Sequence, residues 1–326
     1  MLALRNASLL LLELWLLSSA TRTLTSRELL RFFLIGGGVM GMSVIFAKLF
    51  AFYVPNEIIG SIVVPIEEET LKILPVVFLL WRRREARLWA LGATDVLLMA
   101  TMVGAGFGLV EDANIFHRTG LAIGRVTHQH YAWLPTVVVG GGRHLHTIAG
   151  HAIWAGLAGG IMGIVLLRGG RLLLWPLAFS GYFWSALDHI GNNLMNHYRG
   201  PETQLLLNVT VNGTATVYLF VLTFCAAVAI DYYAVREFCC LPEARLPHTG
   251  TRLDAIRQLW AFLVDRRAVA YLIYRSKFAQ GVKRARLLCW AAILDDRLIK
   301  RRLKEGSSLE SPTRLYPLEQ CFLSEV

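Results

Sequence analysis

The chain has 326 residues, of which 55% are hydrophobic and only 17% charged, with a mean hydropathy of +0.49 and a net charge of +10. A soluble domain carries about 25% charged and about 45–50% apolar residues, so an ordinary soluble globular protein is excluded, as is a disordered chain; five cysteines over this length exclude a disulfide scaffold. What remains is a polytopic membrane protein whose positive charge resides in its soluble parts.

In chain order, residues 8–20 form an apolar run interrupted by Glu13. This pattern fits a signal peptide ending near Ala20, a short signal-anchor span or an interfacial helix, with a retained anchor favoured. Six runs of about 20 mostly apolar residues follow: Phe32–Val54, Ile58–Leu80, Val96–Ile115, His146–Leu167, Leu172–Met195 and Thr214–Val235. The link from Pro55 to Glu57 is so short that the first two form a hairpin. The expected fold is all-α, a polytopic helical membrane bundle of six to seven spans. Its expected organisation is a leader or signal anchor over 1–30, a membrane-embedded domain over 31–235 and a basic helical tail over 236–326.

Charge placement predicts the orientation. Arg22, Arg27 and Arg31 precede the first span, Arg82, Arg83, Arg84 and Arg87 follow the second, and Arg168 and Arg171 follow the fourth. The tail carries 17 Lys+Arg against 10 Asp+Glu, whereas the opposite loops hold only Arg118, Arg125, Arg143 and Arg199. A multi-pass protein of the cell membrane with a cytoplasmic tail follows. Within the tail, Leu253–Phe262 and Ala268–Lys304 have helical apolar spacing, as in Leu287, Leu288, Ile293, Leu294 and Leu298. This reads as a helical hairpin that lies near anionic lipid or contacts cytoplasmic proteins. The tail has no nucleic-acid-binding motif, and no nucleic acid is expected as a partner. Cys239 and Cys240 read as an inert pair ahead of a palmitoylation site, and Asn208 and Asn212 open sequons on the outer face.

Ionisable residues inside a membrane are expensive, and they are functional candidates by default. The second span contains Glu67-Glu68-Glu69-Thr70-Leu71-Lys72, two residues after Pro65. On a helix Lys72 meets Glu68 at i,i+4 or Glu69 at i,i+3. Glu111 ends the third span, His151 opens the fourth, and Asp188, His189 and Asn193 lie in the fifth. Glu111 sits roughly 6 Å, His151 and His189 about 8–9 Å, and Glu69 roughly 16 Å below the outer boundary. Four helices of alternating direction thus bring acids and imidazoles to the outer half of the membrane. Gly104, Gly106, Gly108, Gly150, Gly156, Gly159 and Gly160 permit the close helix approach that a shared pocket needs.

Two chemistries fit this set. In one, Glu111, His151 and His189 bind Zn²⁺ with an open fourth position, and Glu68 or Glu69 acts as base on a polarised water. In the other there is no metal: a glutamate activates water directly, and histidine and asparagine donate to a tetrahedral oxyanion. The zincin-type His-Glu-x-x-His and the Gly-x-Ser-x-Gly elbow are absent.

Taken together, the motifs resemble a known family. Glu68-Glu69-x-x-Lys72 is similar to the E-E-x-x-K motif of the PrsW intramembrane proteases, Phe107-x-x-x-Glu111 to their F-x-x-x-E motif, and His151-Ala152-Ile153-Trp154 to their H-A-x-W segment. His189-x-x-x-Asn193 resembles their H-x-x-x-D motif with Asn in the last place, which leaves that position a hydrogen-bonding role. The resemblance covers about residues 30–235 and extends to the related CAAX-type prenyl endopeptidases. It implies an integral-membrane endopeptidase, classed as a metallopeptidase, that cleaves membrane-anchored regulatory proteins such as anti-sigma factors. The tail lies outside it. Two histidines and an excess of carboxylates favour the metal: Glu111, His151 and His189 are the expected ligands, and Glu68, Glu69, Lys72 and Asn193 the expected catalytic set.

Plainer readings compete with these. An ion pair that only fixes helix register is the alternative for Glu67–Glu69 and Lys72. Arg143, His144 and His146 read as interfacial, and Trp81, Trp133, Trp154, Trp175 and Trp184 as packing or interface anchors. A proton- or ion-coupled transporter would use the same acids and histidines as a relay, but no inverted repeat is visible. A scaffold acting through its basic tail is the third class. Loss of cleavage in a folded Glu69→Gln variant separates the peptidase from both.

Overall fold

The computed structural model describes residues 11–54, 56–82, 90–119, 130–133, 136–138, 150–168, 175–198, 200–236, 252–277 and 279–304. After a short apolar helix, Leu11–Ala20, come α1 (Ser26–Tyr53), α2 (Glu57–Arg82), α3 (Ala93–Thr119), α4 (Gly150–Arg168), α5 (Trp175–His197), α6 (Pro201–Val209), α7 (Thr214–Val235), α8 (Arg252–Ser276) and α9 (Gly281–Lys304). A small hairpin, β1 (His130–Trp133) against β2 (Thr136–Val138), is the only other regular structure among the described residues. The described chain is therefore essentially all-helical. Arg83, Arg84, Arg87, Arg125, Arg143, His144, His146, Arg171, Arg199, Cys239 and Cys240 lie outside the described residues.

The described part of each of the six predicted spans falls on one helix, α1 to α5 and α7. Among the described residues, four stretches are long and apolar enough to cross a membrane: α1, Ala93–Asn114 of α3, Gly150–Leu167 of α4, and Pro201–Val235, which runs through α6 and α7. The two remaining helices on predicted spans carry polar residues already singled out: Glu67–Glu69 and Lys72 on α2, and Asp188, His189 and Asn193 on α5.

The membrane unit comprises residues 1–20, 26–81 and 93–230. Its centre is α3, which packs its backbone directly on α1 and α4. Glycine makes both crossings possible. A Cβ on Gly36 of α1 would strike the Val103 carbonyl, and one on Gly106 would strike the Phe33 carbonyl. On the other side, a Cβ on Gly104 would run into the His151 carbonyl, and one on Gly163 would lie 3.1 Å from the Ala93 carbonyl. Without side chains at these points the helices approach to backbone contact. The α3–α4 seam thereby fixes Glu111 beside His151.

Helix α2 is held differently. Asn56 caps its first turn, its Oδ1 accepting from the backbone N–H groups of Ile58 and Ile59 at 3.0 and 3.1 Å. Two prolines, Pro65 and Pro75, lie inside the helix, each removing one N–H from the ladder. Ser43 of α1 donates to Glu67 Oε2 at 2.8 Å, and Thr70 Oγ1 shares a 2.8 Å hydrogen bond with the Tyr182 hydroxyl of α5. Among the described residues α2 has no backbone seam like those of α3.

Helix α6 falls in what the sequence suggested was loop. Gly200 and Pro201 start it, with Pro pre-set for the first helical turn. The turn from α6 to α7 has positive φ at Val211 (51°), Asn212 (52°) and Gly213 (80°). A β-branched residue in the left-handed region is strained by about 1–2 kcal/mol. Val211 is more than half exposed, so its side chain contributes little packing. Val211→Asn is accordingly expected to raise the melting temperature in detergent by a few degrees, about 1 kcal/mol. An unchanged or lower melting point would show that this turn carries no such strain.

The second unit comprises residues 21–25, 82–92 and 231–326. Helices α8 and α9 pack on each other through Val269, Leu272 and Ile273 against Leu287, Ala291 and Leu294. Of the other apolar positions expected to pack, Leu288 is buried and Ile293 half-buried, and the side chain of Leu298 is not described. The sequence placed a break between Phe262 and Ala268, but α8 runs through it, and the break comes at 277–280, before Gly281 with φ 49°. Ser276 ends α8 by donating to the Ile273 carbonyl at 2.7 Å. Within this unit the Tyr271 hydroxyl donates to Asp231 at 2.9 Å, and Arg267 donates to the Arg22 carbonyl at 3.2 Å.

Candidate active site

Lys72 and Glu69 are the most deeply buried charges on α2, 0% and 2% exposed. Sequence left Glu68 and Glu69 as equal partners for Lys72; in the structure Nζ pairs with Glu69 Oε1 at 2.6 Å, the i,i+3 choice. The same ammonium donates to His151 Nδ1 at 2.7 Å and lies 4.7 Å above the Phe107 ring. His151 Nε2 is hydrogen-bonded to Glu111 Oε2. Because the ammonium has only protons to offer, Nδ1 is the acceptor and Nε2–H the donor of this imidazole. The tautomer follows from the network.

His189, buried on α5, is oriented by Glu69. Its Nδ1 donates to Glu69 Oε1 at 2.9 Å, which leaves the Nε2 lone pair directed towards Glu68 Oε2, 3.6 Å away. That Glu68 oxygen is buried and has no hydrogen-bond partner among the described residues. The two imidazoles stand edge to face, ring centroids 5.2 Å apart. Ligand atoms of Glu68, His151 and His189 lie within 4.8 Å of one another. The four-helix convergence expected from sequence is therefore present for Glu68, Glu69 and Lys72 of α2, Glu111 of α3, His151 of α4 and His189 of α5.

Other candidates lie elsewhere. Glu67 turns away to Ser43 on α1. Asn193 is one turn beyond His189 and half-buried, with no hydrogen bond to the cluster among the described residues.

A profile of the PrsW family of intramembrane metalloproteases matches residues 25–228, a stretch that contains every residue of this cluster. The chain belongs to the PrsW family. No curated protein and no solved structure matches it. Membership makes it an intramembrane protease, a membrane-resident enzyme acting on protein substrates. Within the matched stretch, Glu68, Glu69 and Lys72 supply one wall of the cluster, and Glu111, His151 and His189 supply the other.

A metalloprotease implies a metal, and the donor set of this PrsW site fits one. Two imidazoles and two carboxylates, Glu68 and Glu111, form the usual ligand set of a zinc-like ion. His189 carries the supporting carboxylate that metal-ligating histidines have on their far nitrogen, here Glu69. The partnerless Glu68 oxygen in front of Nε2 is an acceptor awaiting a cation or a proton. At His151 both nitrogens are engaged, so ligation there displaces either Lys72 or Glu111.

Sequence reading undervalued two residues. Trp154, read from sequence as a packing or interface anchor, is 2% exposed and packs by stacking on the His189 ring. Asp188 projects about 100° around the helix from His189, and its carboxylate binds the Trp154 indole. The available signal was an unpaired aspartate in an apolar span beside a candidate histidine, together with a tryptophan three residues after another.

Proposed function

We propose that the protein is an endopeptidase of the cell membrane that hydrolyses peptide bonds of membrane-anchored regulatory proteins at the Glu68–Glu69–Lys72–Glu111–His151–His189 cluster. The observation that carries this reading is the buried Glu68 Oε2, 3.6 Å from His189 Nε2 and without a hydrogen bond among the described residues. A water placed there has a carboxylate ready to take its proton. Glu69 is less suited to that task, because one oxygen already serves Lys72 and His189. Its role is to hold His189 in one tautomer. Lys72 balances the charge of Glu69 and anchors His151. Asn193, one turn beyond His189, is the proposed donor for the oxyanion of the tetrahedral intermediate.

Zinc is the proposed cofactor, held by Glu111, His151 and His189. When bound, it polarises the scissile carbonyl and makes water more acidic. The proposed arrangement of six to seven spans with a cytoplasmic tail rests on the arginines that cluster after the second and fourth predicted spans and in the tail. The basic α8–α9 hairpin is then suited to anionic lipid.

Metal analysis of the purified full-length protein tests the site. Near-equimolar zinc is expected in the wild type and a loss of most of it in His151→Ala and His189→Ala, with helicity unchanged. Cleavage of single-span reporter proteins in proteoliposomes should fall in step, and zinc should restore it after chelation. Zinc content unaffected by both substitutions would overturn the assignment of the ligands.

A further inference from the structure

The Trp154–Asp188 pair lies beside the cluster and has no role in the chemistry described above. The Trp154 indole lies nearly parallel to the His189 imidazole, centroids 4.2 Å apart and planes 17° from each other. Its Nε1 donates to Asp188 Oδ2 at 2.7 Å. The hydroxyls of Thr210 and Thr216 lie near that carboxylate, and Trp184 Nε1 braces Thr216 Oγ1 at 3.0 Å. On the backbone side, Ser185 Oγ donates to the Trp154 carbonyl at 2.9 Å. Asp188 is 3% exposed.

A carboxylate in a lipid-embedded helix is costly, so neutral donors around it mark a specific use. Here that use is to fix an aromatic plane. Stacking alone leaves the indole free to slide and tilt over its neighbour. The Nε1–Asp188 bond removes that freedom by locking the Trp154 rotamer. His189 is then constrained twice. Glu69 on Nδ1 sets its rotation within the ring plane, and the fixed indole sets the plane itself. Together they direct Nε2 at Glu68.

We propose that Asp188 and Trp154 are positioning residues that hold the plane of His189 and thereby set how strongly the site binds its metal. The proposal rests on the reading of His189 as a metal ligand. It differs from a packing role in one respect: the N–H to carboxylate bond matters, and the bulk of the indole does not suffice.

Co²⁺ titration of the full-length protein in detergent, followed by the visible d–d bands, measures affinity and ligand geometry together. Trp154→Phe keeps an aromatic ring and removes one N–H; Asp188→Leu removes the acceptor; Asp188→Asn retains a carbonyl oxygen to accept it. The first two are expected to weaken Co²⁺ binding by about 10–100-fold and to alter the band pattern. Asp188→Asn should stay within about threefold of wild type, because the hydrogen bond survives. The Trp154→Phe/Asp188→Leu double variant should bind no more weakly than the weaker single, since both act through one link. Wild-type affinity and spectrum in Trp154→Phe overturn the proposal, and that variant carries the test alone if Asp188→Leu does not fold. Equal losses in all three single variants, with lowered melting of the metal-free protein, also overturn it, because they report general damage. Absence of Co²⁺ binding by the wild type overturns the metal reading of the site itself, and the proposal with it. Binding by wild type but also by His189→Ala overturns the ligand assignment in the same way.

Discussion

Glu68→Gln lowers the rate of peptide-bond cleavage by about 10²–10⁴-fold, the usual contribution of a general base. The substitution keeps the shape of the side chain and removes only its ability to take a proton. Structural cost should be small, because the Glu68 oxygen facing His189 has no hydrogen bond to lose. Cleavage of a single-span reporter in proteoliposomes, measured alongside zinc content, separates two roles. Lost cleavage with zinc retained identifies Glu68 as the base. Lost cleavage with zinc also lost places it among the ligands, as its closeness to both imidazoles allows. Undiminished cleavage overturns the mechanism.

Lys72→Met is expected to have the largest effect on stability. The ammonium is wholly buried and satisfies Glu69 and His151 at 2.6 and 2.7 Å. Methionine fills the same space and supplies no charge, so Glu69 is left ionised in a dry interior. Breaking one side of a buried ion pair costs about 3–5 kcal/mol, far more than the pair contributes relative to an apolar replacement of both. Thermal unfolding in detergent should therefore show a marked fall for Lys72→Met and recovery of most of it in Glu69→Gln/Lys72→Met. Both variants should be inactive. If the single variant melts like the wild type, Lys72 is not the counter-charge of Glu69.

Hydropathy made the long helices legible, because lipid demands about 20 apolar residues in a row and soluble loops do not. The same logic exposed the site. Three acids and a lysine in one apolar run have no structural excuse, and the glutamate and histidines on three further runs lie at compatible depths. What the sequence did not carry was the pairing. Glu68 and Glu69 both reach Lys72 along the helix, and the choice depends on His189, a residue 120 positions away whose Nδ1 also seeks Glu69. The partnership of Trp154 and Asp188 is illegible for the same reason: an aspartate in an apolar span is conspicuous, but only the packing of α4 on α5 gives the two a joint use. Helix α6 was missed because nine residues are too few for a periodic signal. The break in the tail lies later than the apolar spacing suggests, because Arg266 and Arg267, between the two apolar stretches, are buried within α8.

The way α2 is held differs from the way α3 and α4 are held, and that difference divides the site mechanically. Glu111 and His151 ride on helices whose backbones touch along a row of glycines, so their separation is as stiff as the crossing itself. Glu68, Glu69 and Lys72 ride on a helix with two prolines, fastened by hydroxyl bonds at Glu67 and Thr70. One jaw of the vice is cast in place and the other is hung on pins. An extended polypeptide strand that parted the two walls would break these two hydroxyl bonds together with the Lys72–His151 and Glu69–His189 hydrogen bonds, and would leave intact the glycine seam that keeps the opposite wall in register.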